Sequence, residues 1–509
     1  MAKPASKPNI LWYCTDQQRW DTIHALGNGE IRTPTLDWIV ENGAAFGRAY
    51  TQCPICTPSR ATLLTGRYPA SHHVQRNGND FFPSGEVLVT RILADAGWDC
   101  GLVGKLHLSR AQGRVERRPD DGYRFFQWSH HPYPDWPDGH DYARWLKDEK
   151  GVDPKDLYGG RARHYGPGVP TECHQTTWCT EMARRFITEK QDGPWLLSIN
   201  PFDPHPPFDP PAEFLNRYDP QALAPPLFRE TDLVRQGAFC GIDQQTLEAV
   251  DPMAGDPSAG TPAAARTAKP LSREEMARIP MKSYDGRRIK ACYYAMIELI
   301  DYQLGRIIEV LKETSQLENT LIIFTSDHGE LLGDHGLLYK GCRFFESLVH
   351  VPLLFLWPEV IPRGIRSDAL VELVDLAPTL LECAGLPTAP TMQGSSLLPI
   401  LTGEQDPAFH KPHVISEFND ALELPNASHA SMYFDGRHKL CVYHGAEHNG
   451  SEVVELFDLD EDPGEFRNLW SPEDGSEAAS SELKLSLLKK HFDAMMATSD
   501  AGIPRTGHY

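Results

Sequence analysis

Five short, continuous apolar runs set what this chain can fold into. They are Asn9-Ile10-Leu11-Trp12-Tyr13-Cys14, Asp99-Cys100-Gly101-Leu102-Val103, Trp195-Leu196-Leu197-Ser198-Ile199, Leu321-Ile322-Ile323-Phe324 and Val351-Pro352-Leu353-Leu354-Phe355-Leu356. Runs this short, with no polar alternation, read as strands buried on both faces, as in a parallel sheet covered by helices. Between them lie stretches with helical periodicity, among them Thr35 to Gly43, Val87 to Gly97 and Arg288 to Thr314. Buried strands alternating with helices predict an α/β fold with a mostly parallel sheet.

The residues just past these runs can carry chemistry. The first run leads into Asp16, the second into Lys105 and His107, the third into His205, and the fourth into Asp327 and His328. Open α/β sheets bind their ligands beyond the carboxyl ends of the strands. Four strand ends bearing ionisable or metal-capable groups therefore predict one composite site on that rim.

A second element belongs to the same rim. In Cys53-Pro54-Ile55-Cys56-Thr57-Pro58-Ser59-Arg60, running on to Arg67, Pro58 is tolerated in a first helical turn and Gly66 stops the helix. Cys56 then sits at or just before a helix N-terminus, where free N–H groups favour an anion. Such a cysteine is either a low-pKa thiolate or the precursor of a modified side chain. Cys53 and Cys56 also form a C-x-x-C, which could be redox-active or half a zinc site. No second C-x-x-C and no suitably spaced His pair completes one.

At 509 residues the chain has room for more than one domain, or for one large domain with an appendage. Its net charge of −21 argues against nucleic acid or an anionic membrane as partner. An anionic substrate must then be drawn in by local positive charge. The eleven scattered cysteines imply no disulfide framework, and no apolar run reaches membrane-spanning length. Met1 to Pro8 lacks the apolar segment of a secretory signal, so the expected location is the cytoplasm.

Residues 110–170 read as long loops at the mouth of the site, and 219–285 as a weakly structured Pro-, Gly- and Ala-rich insertion. A helix from Leu370, ending near Gly385, precedes a change of texture. Ser431 to Tyr443 reads as a hairpin around Asp435-Gly436, and Glu455 to Leu459 as a further strand followed by a turn. Ser481 to Met496 is a last amphipathic helix. These features predict a catalytic α/β domain over 1–405 and a smaller α+β subdomain with an antiparallel sheet over 406–509. The final segment, Gly502 to Tyr509, either frays or docks across a neighbouring subunit of a homo-oligomer.

The spacing Cys56-x-Pro58-Ser59-Arg60-(x)4-Thr65-Gly66-Arg67 resembles the signature of the type I sulfatases of the alkaline phosphatase superfamily. So do Pro8-Asn9-Ile10-Leu11 with Asp16, Gly104-Lys105-Leu106-His107-Leu108 and Ser326-Asp327-His328-Gly329-Glu330. Tyr339-Lys340 followed by Phe345-Glu346-Ser347, and the stretch from Asp458 to Glu465, complete the match in order. The resemblance implies an alkaline-phosphatase-like sheet sandwiched by helices, with a C-terminal subdomain. It implies that a formylglycine-generating enzyme oxidises Cys56 to formylglycine (3-oxoalanine), whose hydrated aldehyde is the nucleophile. It makes Asp16, Gln17, Asp327 and His328 ligands of one divalent metal ion that the modified Cys56 also faces.

Gln17 and His328 depart from the commonest sulfatase pattern, which has Asp and Asn there, and resemble the choline-sulfatase and phosphonate monoester hydrolase branch. Imidazole suits Mn²⁺ better than Ca²⁺, the family default. The same resemblance has Arg60, Lys105, His205 and Lys340 supply charge or donors toward the sulfuryl oxygens. Asp327 helps to activate the nucleophile, His205 or Lys340 serves the leaving group, and His107 takes the proton that releases sulfate. Asn77 either donates to the substrate or only shapes the Asn77-Gly78 turn. The expected substrate is a small-molecule sulfate ester. The competing activity is hydrolysis of phosphonate monoesters or phosphodiesters, against which Lys105-x-His107 speaks, because that branch tends to carry hydroxyl-bearing residues there. A non-catalytic binding protein that keeps Cys56 as a thiol is the remaining alternative.

Overall fold

Four adjacent parallel strands form the centre of the molecule: Thr320–Ser326, Asn9–Thr15, Trp195–Asn200 and Asp99–Gly104, in that spatial order. The computed structural model describes residues 7–499, except 112, 133–135, 159–163, 190–191, 240–241, 243–247, 256–282, 423–427, 449–450 and 473–476. Leu11 is level with Leu197 on one side and Ile322 on the other, and Thr15 with Ser326. The period-2 pleat sends Ile10, Trp12 and Cys14 into one core and Leu11 and Tyr13 into the other. Burying such a residue stabilises the fold by about 1.5–3 kcal/mol each, so one strand fixes both layers.

On one face lies the helix Cys56–Thr65, whose Ala61, Leu63 and Leu64 join the Trp12 core. On the other, Ile300, Leu304 and Ile307 of the long helix Gly286–Glu313 pack with Leu11 and Tyr13. Phe125–Trp128 extends the sheet beyond Asp99–Gly104, and Leu353–Leu356, Ala44–Phe46 and Ile365–Ser367 complete eight strands on the opposite side. Only Leu353–Leu356 runs antiparallel to both neighbours. The fold is the expected α/β class.

The long helix also serves a shorter one. Pro34–Asn42 has no side-chain cap from its own N-cap residue, Thr33. Instead the buried Asp301 carboxylate accepts the N–H groups of Leu36 (2.7 Å) and Thr35 (3.1 Å), two of the orphan donors of a helix start. Burial nevertheless pushes the Asp301 carboxyl up from 3.8 to about 7. A raised carboxyl binds its proton more tightly when folded, so its contribution is complete below 3.8 and is lost as pH rises through about 7. Asp301→Asn should therefore flatten the dependence of the unfolding midpoint on pH across that window. An unchanged slope would rule this group out as its source.

Beyond the α/β layers, Val414–Asn419, His429–Phe434, His438–His448 and Ser451–Asp458 make a four-stranded antiparallel sheet. Its hairpin turns at Asp435-Gly436, where Gly436 has φ +95°, a conformation that favours glycine. The helix Ser481–Thr498 covers one face through Leu487 and Ala494. The other face packs Met432, Phe434 and Cys441 against Cys53, Ile55 and Phe344. The turn leading into Cys56 is therefore wedged between the two parts of the protein. The described cysteines are all free thiols, and among the described residues no helix is long and apolar enough to cross a membrane.

Four expectations need correction. The run Val351 to Leu356 splits at Pro352, which has no N–H to give a ladder. His350–Val351 joins a small sheet with Ala49–Tyr50 and Val371–Glu372, and Leu353–Leu356 joins the central one. Residues 110–170 are not only loops, since they hold the edge strand Phe125–Trp128 and the helices Asp141–Asp148 and Pro154–Tyr158. The helix expected from Leu370 starts at Leu376, after the strand Val371–Glu372 and a 3-10 turn. Within 219–285 the helix Glu230–Ala238 is well formed, while the Pro- and Ala-rich part over 256–282 and the C-terminal segment Gly502 to Tyr509 lie outside the described residues.

Candidate active site

Cys56 is the first residue of its helix, with Ile55 as the N-cap and Gly66, in the left-handed region, closing the other end. All ten residues of this helix are buried. Its first turn is pinned to the sheet by Ser59 Oγ, which donates to the Asp327 carbonyl at 2.6 Å. This places the Cys56 sulfur over the ends of Asn9–Thr15 and Thr320–Ser326. The ligand atoms of Asp16, Cys56, Asp327 and His328 all lie within 4.8 Å of one another, and all four residues are buried.

Close backbone approach makes this possible at two glycines. A Cβ on Gly329 would lie 1.9 Å from the Ser347 carbonyl oxygen, and one on Gly104, which has φ +102°, would lie 2.0 Å from that of Asn200. These glycines flank His328 and Lys105 directly, so the strand ends bearing those residues fit only without a side chain at the neighbouring position.

The donor set fits a divalent cation. The His328 Nδ1 lies 2.9 Å from the Gly329 carbonyl. A carbonyl only accepts, so a proton sits on Nδ1, and Nε2 is the ring nitrogen turned to the cluster, 3.1 Å from Cys56 Sγ, where on losing its proton it would serve as a metal ligand. Asp16 and Asp327 add hard carboxylate oxygens, and the Gln17 amide oxygen shares Lys340 Nζ with Cys56, at 3.3 Å against 2.7 Å for Sγ. Gln17 has φ +72°, and its N–H donates to Asp327 Oδ1 at 3.0 Å.

Cationic groups surround the carboxylates. Arg60 donates through Nε to Asp327 (2.9 Å) and through Nη2 to Asp16 (3.3 Å), and Lys105 Nζ also donates to Asp16. Against burial, Lys105 and then Arg60 and Lys340 hold the Asp16 carboxyl well below the usual range. Lys340 Nζ lies 2.7 Å from Cys56 Sγ and 3.0 Å from His205 Nε2. Burial and Asp16 push the Cys56 thiol up, but Lys105, Lys340 and His328 outweigh them and it lies below its ordinary value. Cys53, three residues earlier, is buried away from these cations and is raised instead.

The two remaining histidines are neutral bases. His205 Nδ1 donates to the Pro206 carbonyl at 2.8 Å, so Nε2 is the bare nitrogen that accepts from Lys340. Burial and then Lys340 hold its pKa well down. His107, at φ +57°, is lowered by burial and then by Lys105 and Arg60. Asn77 stands at the edge of the site, its Oδ1 accepting from Thr57 Oγ1 at 2.9 Å and its N–H donating to the Ala421 carbonyl at 2.7 Å.

The residues singled out in the sequence are thus drawn together around Cys56. Known proteins match this chain along nearly its whole length. The model of the sulfatase family matches residues 8–386. The chain belongs to the sulfatase family. It is an enzyme, a sulfuric ester hydrolase. A second model, N-sulphoglucosamine sulphohydrolase C-terminal, matches residues 333–493. The chain is similar to an arylsulfatase of Clostridium perfringens, with 27% identity covering 92% of each chain. It resembles a multifunctional alkaline phosphatase superfamily protein of Trinickia caryophylli equally, with 27% identity over 91% of each. In structure it resembles the phosphonate monoester hydrolase of Agrobacterium radiobacter, with TM-score 0.75, 25% identity and coverage of 97% of this chain and 96% of that one.

Sequence reasoning missed several residues that build this sulfatase site. Both oxygens of the buried Glu116 accept the N–H of His107, at 2.9 and 2.8 Å, and burial pushes that carboxyl up to about 8. Tyr293, on the long helix, donates its hydroxyl to the Gln17 carbonyl at 2.7 Å and accepts from the Arg19 N–H at 2.9 Å. No pattern around Glu116 or Tyr293 announces these contacts. Glu330 stood inside a recognised block, but its role depends on which side chain it meets.

Proposed function

We propose that the protein hydrolyses small-molecule sulfate monoesters to an alcohol or phenol and sulfate, using Cys56 oxidised to formylglycine and one divalent metal ion. The supporting observation is the place of Cys56, which starts a buried helix 3.1 Å from a metal-ready imidazole nitrogen and 2.7 Å from a lysine. When present, formylglycine supplies a hydrated aldehyde as nucleophile, and the metal ion supplies positive charge against the sulfuryl oxygens.

The chain's own residues do the rest. Asp16, Gln17, Asp327 and His328 hold the cation, and Arg60 acts through the two carboxylates it bridges. Asp327, beside both Arg60 and the cluster, assists deprotonation of the nucleophile. Lys105 and Lys340 bind sulfuryl oxygens, neutralising charge before attack. Lys340 donates a proton to the leaving oxygen, and His205, whose bare Nε2 accepts from Lys340, keeps that amine aimed. The neutral imidazole of His107 takes the proton from the remaining hydroxyl at position 56. The Asn77 amide N–H₂, left free to point outward when its oxygen accepts from Thr57, donates to the ester at the rim.

One observation favours a second reading, hydrolysis of phosphonate monoesters or phosphodiesters: the similarity in structure to a phosphonate monoester hydrolase over nearly the whole chain. A substrate panel separates the two. Protein loaded with Mn²⁺ and verified for formylglycine should turn over nitrophenyl sulfate faster than phenyl nitrophenyl phosphate or a nitrophenyl phenylphosphonate. A sulfate rate orders of magnitude below the phosphorus esters would give the assignment to the second reading.

A further inference from the structure

Gln17 is tied at both ends of its amide. Its Nε2 donates to Glu330 Oε2, and its Oε1 accepts from Lys340 Nζ at 3.3 Å. Glu330 itself is immobilised, because its other oxygen accepts the N–H groups of Leu332 (2.9 Å) and Tyr339 (2.5 Å), and Arg19 Nη1 donates to its carbonyl at 3.1 Å. It is fully buried, as is Gln17. An ammonium only donates and a carboxylate only accepts. Lys340 therefore demands an oxygen at one end of the amide, while Glu330 demands an N–H₂ at the other. The two constraints agree, and both turn Oε1 of Gln17 toward the cluster of Asp16, Cys56, Asp327 and His328. The backbone of Gln17 is held as firmly, by Asp327 and Tyr293.

We propose that Glu330 is a positioning residue that fixes the Gln17 amide with its oxygen toward the metal site, and that it is the reason an amide stands at position 17. A carboxylate there would put two buried anions at hydrogen-bond distance with no donor between them, which costs far more than a mismatched neutral contact. Positions 17 and 330 thus form one acceptor–donor couple: carboxylate at 330 requires amide at 17, and amide at 330 permits carboxylate at 17. Through Tyr339 the same carboxylate also anchors the residue before Lys340, so it orients the metal side and the cationic side of the site together.

The inference rests on the reading of the cluster as a metal site, and its test separates the two. Mn²⁺ affinity is measured by chelator competition on full-length wild type, Glu330→Gln, Gln17→Asp and the double variant, with unfolding midpoints taken with and without Mn²⁺. Glu330→Gln offers Gln17 a donor where it had an acceptor, which turns the Gln17 N–H₂ inward and weakens Mn²⁺ binding by about 10–100-fold. Gln17→Asp alone weakens it at least as much. Joined in one chain, the two changes restore a matched pair and return affinity to within a few-fold of wild type. Rescue of this kind is not expected of a carboxylate that only braces the loop around Leu332 and Tyr339. Wild type that takes up no Mn²⁺ overturns the metal reading itself. Wild type that binds Mn²⁺ while Glu330→Gln binds it equally well, or a double variant no better than the worse single one, overturns the coupling alone. Should Gln17→Asp fail to fold, the Glu330→Gln affinity decides the matter.

Discussion

Cys56→Ser is expected to abolish steady-state turnover of a sulfate ester, by about a million-fold in kcat, while the unfolding midpoint stays close to wild type. The cysteine is buried at the start of a helix whose packing rests on Ala61, Leu63 and Leu64, so exchange of one small polar side chain for another disturbs little. Lys340, His328 and the carboxylates remain in place around the new hydroxyl. A serine can attack sulfur once, but it carries no second hydroxyl whose deprotonation would expel the sulfuryl group. Mass spectrometry of the tryptic peptide after incubation with substrate should therefore show a stable gain of one sulfuryl group. In active wild-type protein the same peptide should be lighter than the cysteine form, because sulfur has been exchanged for oxygen. An intact thiol in fully active enzyme would overturn the proposed nucleophile.

The second large effect belongs to Glu455, far from the nucleophile in sequence. Its carboxylate accepts from Arg235 at 2.6 Å and from Arg343 at 3.1 Å, and all three residues are buried. Removing one partner of a buried ion pair leaves an uncompensated charge, which costs about 3–5 kcal/mol. Glu455→Gln should lower the unfolding midpoint accordingly. Against the cost of burial, Arg343 and then Arg235 hold the Glu455 carboxyl below its ordinary 4.5. A depressed carboxyl stabilises above the unfolded value and loses that contribution as pH falls through the folded one, so wild type and variant should converge in acid. Arg343 lies three residues after Lys340, and the next stretch is held the same way: Lys439 pairs with Glu346 at 2.6 Å and with Glu465 at 2.9 Å. A fall in kcat should accompany the fall in stability as the Lys340 segment loosens. Pairing Glu455→Gln with Arg343→Met, which removes a stranded charge and keeps the stem, should recover part of the midpoint. A variant as stable as wild type would show that Arg235 and Arg343 do not depend on Glu455.

Much of this site could be read from the chain because strand ends are marked in sequence. Asp16, Lys105 and Asp327 each follow an apolar run directly, and adjacency of parallel strands then does the gathering. His205 lies farther from its strand, yet the turn after Asn200 brings it to Lys340. What could not be read was direction and partnership. An apolar run carries no sign of strand direction, so the antiparallel Leu353–Leu356 looked like its parallel neighbours. Phe125–Trp128 is a partly exposed edge strand amid turn-forming residues, and its composition resembled a loop. Glu116 and Glu330 are ordinary acids in the sequence. They acquire a function only where folding sets one against the N–H of His107 and the other against the amide of Gln17.

The clamp on the Lys340 segment also bears on timing. Glu455 and Glu465 are translated roughly 400 residues after Cys56, about 20–80 s later at ordinary rates of synthesis. Until those residues arrive, the antiparallel sheet that packs against Cys53 and Ile55 does not exist, and the turn into Cys56 has no cover on that side. Afterwards that side of the turn is covered. For the oxidation proposed above, the order of the polypeptide thus acts as a clock: the side of the turn that the antiparallel sheet covers stays open from the synthesis of Cys56 until the last strands arrive.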